Sequence, residues 1–187
     1  VRSVAGDDTW DRFEVELAAG RITLRGVLAA EAAMIRMTEP EALAFLEAHA
    51  TVDPTFGTFV RRAKMQGATV EVVSSGLRQI IEPALARSGV EVTVHANDVT
   101  FDPNGWTLDF IDDSLNGHDK AGRVRAAAAG GRPTVYIGDG VSDFEAAMAA
   151  DRCFAKSGRA LEAYCQERGV AFMPFTSFAE IERELFA

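Results

Sequence analysis

The chain has 187 residues, 48% of them apolar, enough to bury a sizeable core as one domain or as one domain with an insertion. Acidic residues outnumber basic ones by 28 to 19, and the resulting net charge of −9 argues against a nucleic-acid groove or an anionic membrane surface as partner. An anionic small molecule stays open, because a bound metal reverses the sign of one pocket. Cys153 and Cys165 make neither a metal-type pair nor a disulfide framework, which suits a reducing cytoplasm. No apolar run is long enough for a bilayer, and Asp7 and Asp8 fall where the core of a signal peptide would be.

The first fifty residues carry helical signals only. Trp10, Phe13 and Leu17 recur at helical spacing up to Gly20, and Leu28, Ala32 and Ile35 mark a second helix. Thr38 and Glu41 form a capping box for a third, with Leu43, Leu46 and Ala50 as its apolar stripe. These three helices read as a separate unit, residues 1–52, and the remainder, 53–187, as the core. A helix starts at Asp53-Pro54, burying Phe56, Phe59, Val60 and Ala63 and closing at Gly67. From there strand and helix alternate. Strands are expected at Thr69–Val73, Val90–Ala96, Thr134–Ile137 and Arg152–Ala155, with an antiparallel excursion at Gly105–Ile111. Helices are expected at Leu77–Arg87, Lys120–Ala129, Phe144–Ala150 and Arg159–Arg168, and after Ser177. This order predicts an α/β fold around a parallel sheet of four or five strands, with helices on both faces.

Three places on this frame carry chemistry. Thr134 to Ile137 leads into Gly138-Asp139-Gly140-Val141-Ser142-Asp143, two carboxylates four residues apart at the carboxyl end of a strand, where open α/β sheets bind ligands. Hard oxygen ligands on a tight turn suit Mg²⁺, completed by waters and a phosphate; a plain acidic turn capping the next helix is the alternative. Val70 to Val73 delivers Ser74, Ser75 and Gly76 into the start of a helix, an anion cradle or an ordinary serine cap. Lys120 opens its helix against the macrodipole, so a purely structural role is disfavoured there.

In this order and spacing, strand-Ser, then Lys, then Gly-Asp-Gly-x-x-Asp resembles the haloacid dehalogenase-like phosphohydrolases. Ala96-Asn97 before the excursion and the closing Pro174-Phe175-Thr176-Ser177-Phe178 resemble the phosphoserine phosphatase-like branch, within it most of all the 2-hydroxy-3-keto-5-methylthiopentenyl-1-phosphate phosphatases and their relatives. The resemblance implies a three-layer Rossmann-like fold with a small α-helical cap inserted near the N-terminus. It implies a Mg²⁺-dependent phosphatase that works through an aspartyl-phosphate. Ser74, Ser75, Gly76 and Lys120 would then bind the phosphate, Asp139 and Asp143 would serve the metal, and Ser74, Lys120, Asp139 and Asp143 would meet in one cleft. The substrate would be a small phosphorylated metabolite of a class the sequence does not specify.

The family's first motif, Asp-x-Asp on an opening strand, is absent. That strand would lie at the centre of the sheet, between those matching Thr69–Val73 and Thr134–Ile137, so it is expected upstream of Val1, and the 187 residues alone are expected to be inactive. The rival is a non-catalytic phosphometabolite-binding or regulatory domain that has lost the motif. A dinucleotide-binding reading of Gly138 and Gly140 fails, since Asp143 stands where a third glycine is needed. A receiver-like domain fits the Asp, Ser and Lys inventory, but not the helical N-terminal unit.

Overall fold

The structure, a computed structural model, describes residues 9–187; Asp7 and Asp8 lie outside that range. Three helices come first: α1 (Thr9–Ala18), α2 (Leu24–Met34) and α3 (Glu39–His49). The Thr23 hydroxyl oxygen accepts from the Gly26 amide to cap α2. Before α3, the Thr38 amide and hydroxyl both bond to Glu41 Oε2, at 2.8 and 2.7 Å. Helix α4 spans Phe56–Met65, starting two residues later than expected. Asp53 Oδ1 accepts from both the amide and the hydroxyl of Thr55, so Asp53-Pro54 is spent on the preceding turn. The four predicted apolar residues of α4 are the buried ones.

The remaining elements are β1 (Glu71–Leu77), α5 (Arg78–Arg87), β2 (Thr93–Thr100), β3 (Thr107–Asp109), α6 (Lys120–Ala128), β4 (Val135–Gly138), α7 (Phe144–Ala149), β5 (Arg152–Lys156), α8 (Ala160–Arg168), β6 (Met173–Phe175) and α9 (Phe178–Phe186). The predicted excursion is β3, antiparallel to β2 with Asp98 opposite Asp109 and Thr100 opposite Thr107. Strands β4, β5 and β6 are parallel, Val135 pairing with Arg152 and Phe154 with Met173. β6 has no counterpart in the sequence reading. It is three residues long and carries Pro174, and a proline that cannot donate to a ladder is tolerated at such an edge.

The α/β class stands, with one difference in the sheet. The strands form two three-stranded sheets, ordered β1-β2-β3 and β4-β5-β6, instead of one continuous sheet. β1 and β4 each end their sheet, and no described strand hydrogen-bonds between them.

The chain divides into two compact units. One joins the segment ending at Thr51 to Ser74–Ala84 and Val94–His118; the other joins Val52–Val73, Leu85–Thr93 and Asp119–Ala187. The first buries Ala32, Ile35, Ala42, Val99 and Trp106 together, with the Trp106 indole donating to the Met37 carbonyl at 2.7 Å. The second buries Val124, Tyr136, Ala146, Ala147, Cys153, Ala155, Leu161 and Cys165. In the same unit α4 packs against α9, where the Phe178 ring lies 4.6 Å from Phe56 and 5.3 Å from Phe59 between centroids.

Candidate active site

β4 ends at Gly138, and the next turn folds Asp143 back beneath it. The carboxylate of Asp143 is 4% exposed and accepts four hydrogen bonds. Oδ1 takes one from Lys120 Nζ at 2.6 Å and one from the Tyr136 hydroxyl at 2.7 Å. Oδ2 takes the amides of Asp139 at 2.9 Å and Gly140 at 2.8 Å. Burial pushes this carboxyl up, but the Lys120 ammonium and the hydrogen bonds outweigh burial and hold it below the usual range. Burial, and then the Asp143 charge, raise the Tyr136 phenol far above its ordinary value, so it stays a donor.

Lys120 opens α6, whose first turn is capped by Asp119 Oδ1 accepting from the Gly122 amide at 2.7 Å. Its ammonium is buried and donates to Ser142 Oγ at 2.8 Å as well as to Asp143. An ammonium has three protons, so one donor remains beyond these two bonds. Asp139 is the contrast. Its main-chain carbonyl accepts from the Leu161 amide at the start of α8, and its carboxylate is exposed with no hydrogen-bond or ion-pair partner among the described residues.

The glycines of this turn act by size. Neither Gly138 nor Gly140 has a positive φ. A Cβ on Gly138 would sit 2.8 Å from Asp143 Oδ2 and 2.9 Å from the Tyr136 ring, so its missing side chain is the space that the Asp143 carboxylate occupies.

Ser74, Ser75 and Gly76 belong to the other unit, on the last part of β1, which runs on to Leu77 where a helix start was expected. Ser74 Oγ accepts from the Gly76 amide at 3.0 Å, so one of the two expected anion-binding amides is held by a local hydroxyl. The Ser75 hydroxyl donates to the Asn116 carbonyl at 3.0 Å. Beneath them Asn97, fully buried on β2, donates to the carbonyls of Ser75 and Gly117, both at 2.9 Å, and accepts from the Ile111 amide at 3.0 Å. One side chain thus ties the serine segment to both ends of the 111–117 loop. At the end of that loop, His118 Nδ1 donates to Asp112 Oδ2 at 2.6 Å, and His118 Nε2 is buried without a partner.

Sequence reasoning therefore named Lys120 and Asp143, which are joined directly, and missed Tyr136, Ser142, Asn97 and His118 as participants. A signal existed for Tyr136, since a tyrosine on the inward phase of a buried strand must bond its hydroxyl to something. Asn97 offers none, because β2 also carries Thr93, His95, Asp98 and Thr100.

Among the described residues no three His, Cys, Asp or Glu side chains cluster as a metal cage. Mg²⁺ does not demand one, because it keeps several waters and takes one or two carboxylates plus phosphate oxygens. The unpartnered Asp139 carboxylate fits that demand. Asp143, with both oxygens doubly engaged, fits a role in holding the Asp139 turn and Lys120. No helix among the described residues is long and apolar enough to cross a membrane.

A family profile described as haloacid dehalogenase-like hydrolase matches residues 5–148. The chain is 35% identical over 178 residues to Pdp3-interacting factor 1 of Schizosaccharomyces pombe, covering 89% of this chain and 77% of that protein. It is 35% identical to polyol phosphate phosphatase PYP1 of Saccharomyces cerevisiae, covering 76% of this chain and 66% of that protein. It is also 31% identical to a 2-hydroxy-3-keto-5-methylthiopentenyl-1-phosphate phosphatase of Exiguobacterium sibiricum, covering 73% of this chain and 64% of that protein. Among solved structures, a substrate-bound phosphoserine phosphatase complex superposes with a TM-score of 0.72 at 17% identity, covering 98% of this chain and 88% of the other; that likeness shows the fold.

Proposed function

Because the chain belongs to the haloacid dehalogenase-like hydrolases, we propose that it is the larger part of a Mg²⁺-dependent phosphatase acting on a small phosphorylated metabolite through an aspartyl-phosphate. The observation that carries this reading is the buried Lys120–Asp143 ion pair beside an exposed, unpartnered Asp139 carboxylate at the end of β4. Burying a lysine and an aspartate is costly, and pairing seldom makes it profitable for stability alone. Here the pair fixes an ammonium with one donor to spare and a turn that presents a second carboxylate.

In this reading Asp139 would hold Mg²⁺, whose charge would offset that of the phosphoryl oxygens. Lys120 offers its remaining proton to the charge that develops as the phosphoryl group transfers. Asp143 positions both without touching substrate. The Ser74 hydroxyl and the amides of Ser75 and Gly76 bind phosphoryl oxygens, which requires Ser74 to release the Gly76 amide. The helices of residues 1–52 act as the cap and residues 53–187 as the hydrolase core. The nucleophile comes from an Asp-x-Asp strand upstream of Val1. The cytoplasm is the compartment this reading favours, because both cysteines are free and buried.

The test is hydrolysis of p-nitrophenyl phosphate by the 187-residue chain and by the protein extended through an upstream Asp-x-Asp strand, with and without EDTA. The longer protein should turn over only with Mg²⁺, and Asp139→Asn in it should lower turnover by roughly 100-fold or more. The short chain should be inactive. Metal-dependent turnover by the short chain would move the nucleophile inside it, with Asp7 and Asp8 the first residues to replace. Inactivity of both, with retained phosphate binding, would favour the non-catalytic binding domain.

A further inference from the structure

The chemistry just proposed asks Lys120 to aim one remaining proton at the transferring group, and the ion pair with Asp143 does not by itself fix that aim. We propose that Tyr136 is a positioning residue for phosphoryl transfer. By occupying one acceptor site of Asp143 Oδ1, its hydroxyl confines the Lys120 ammonium to the other and so sets the direction of the free N–H. This rests on the phosphatase reading and adds a residue to its machinery.

An ionised carboxylate offers about two acceptor sites on each oxygen. On Asp143 the amides of Asp139 and Gly140 take those of Oδ2, while Lys120 Nζ and the Tyr136 hydroxyl take those of Oδ1, at 2.6 and 2.7 Å. Lysine and tyrosine thus share one oxygen. Without the phenol, the ammonium could swing about Oδ1, keep its ion pair and point its third proton elsewhere. Its other bond, to Ser142 Oγ at 2.8 Å, does not prevent this, because a hydroxyl rotates to suit its donor and Ser142 sits on the short 3₁₀ turn Val141–Asp143.

Tyr136 is built to impose a direction. Its main chain lies on β4 opposite Cys153 of β5, and its ring is buried in a cluster that includes Val124, Ala146, Ala147 and Leu161. A phenylalanine would fill that apolar space without bringing a hydroxyl that must be satisfied, so packing accounts for the ring but not for the oxygen. Gly138 leaves room for both groups, since a Cβ there would lie 2.9 Å from Tyr136 Cε1 as well as 2.8 Å from Asp143 Oδ2. Lys120, Tyr136, Ser142 and Asp143 all belong to one compact unit. The rival role is structural: a hydroxyl that satisfies a buried carboxylate, adding to stability and nothing to turnover.

The experiment measures kcat and KM on p-nitrophenyl phosphate for the full-length protein, Tyr136→Phe, Asp143→Asn and the double variant. Inhibition by phosphate and by orthovanadate, which adopts the five-coordinate geometry of the transferring group, is measured beside them, with a urea curve for each protein. Tyr136→Phe should lower kcat roughly tenfold with KM changed less than about threefold, and should weaken vanadate more than phosphate by a similar factor. Added to Asp143→Asn, it should cost less than about twofold more, because the phenol acts through that carboxylate. An unchanged kcat with a lower urea midpoint would overturn the proposal and leave the structural role. A rise in KM alone, or losses that simply multiply in the double variant, would overturn it too. If Asp143→Asn does not fold, the split between vanadate and phosphate decides, and equal weakening of the two counts against the proposal. If Tyr136→Phe does not fold, Tyr136→Met, which fills the space flexibly and also lacks the hydroxyl, is read in its place. A full-length protein inert towards p-nitrophenyl phosphate would instead defeat the phosphatase reading, and this inference would fall with it.

Discussion

At the scale of single residues, the site turns on how completely one carboxylate is used. Asp143 holds a lysine, a tyrosine and two amides, so removing any neighbour leaves buried polarity uncompensated. The spacing of Asp139 and Asp143 was readable in the sequence; the division of labour between them was not. Which acid turns inward depends on the 3₁₀ turn Val141–Asp143, and a four-residue separation does not encode that. Nor does the sequence say why position 138 is glycine, because a missing Cβ signals a tight turn and a close approach equally well. Gly138→Ala should cost about 1–3 kcal/mol by forcing a carbon into the space of the Asp143 carboxylate. Gly140→Ala, whose Cβ would come no nearer than 3.8 Å to that carboxylate, should cost less than about 1 kcal/mol. Urea denaturation of the two variants beside the parent protein checks the order, and equal costs would mean that Gly138 is not there for space.

At the scale of elements, the long connection between β3 and α6 behaves as a braced structure. Residues 110–119 lack regular structure apart from turns, yet Asn97 ties Ile111 and Gly117 to Ser75, and Asp112 anchors His118. A loop of this length inside a compact domain is commonly functional, and this one fixes where the serine segment ends. The elements themselves were largely legible, because apolar periodicity and capping residues are local signals. The helix at Lys120, the strand before Asp139 and the antiparallel excursion all lie within a few residues of their expected places. The bracing was not legible, since it joins one amide to residues 14 to 22 positions away. Asn97→Ala should therefore destabilise the protein by about 2–4 kcal/mol, leaving the buried carbonyls of Ser75 and Gly117 and the part-buried Ile111 amide without this partner. A urea midpoint within experimental error of the parent would show that solvent replaces those bonds.

At the scale of the whole molecule, two buried acids set opposite pH limits. Asp143 has its pKa lowered on folding, so its contribution is present above the unfolded value of 3.8 and is lost as pH falls through the lower folded value. Glu31 has its pKa raised from 4.5 to about 7, so the folded state binds the extra proton. Its effect is absent below 4.5; stability then declines as pH rises towards 7 and stays lower above it, by on the order of 3 kcal/mol. Melting temperatures should fall between pH 5 and pH 8 in the parent protein and fall less in Glu31→Gln. Parallel slopes would show that Glu31 is solvated. The fold class was legible from the alternation of strands and helices, and the splitting of the strands into two sheets, with β1 and β4 each ending one, is what the absent central strand implies.

The way the polypeptide is threaded has a practical outcome for anyone dissecting it. Passing from start to finish, the chain crosses from one compact unit to the other at Thr51, Val73, Ala84, Thr93 and His118. Neither unit is a contiguous stretch, so no pair of restriction sites or single protease cut can release one of them whole. Cutting after the helical segment leaves behind the strands and loop that complete its core. Both units should therefore melt as one cooperative event, in which a calorimeter sees a single endotherm. The smallest piece worth expressing is the entire chain.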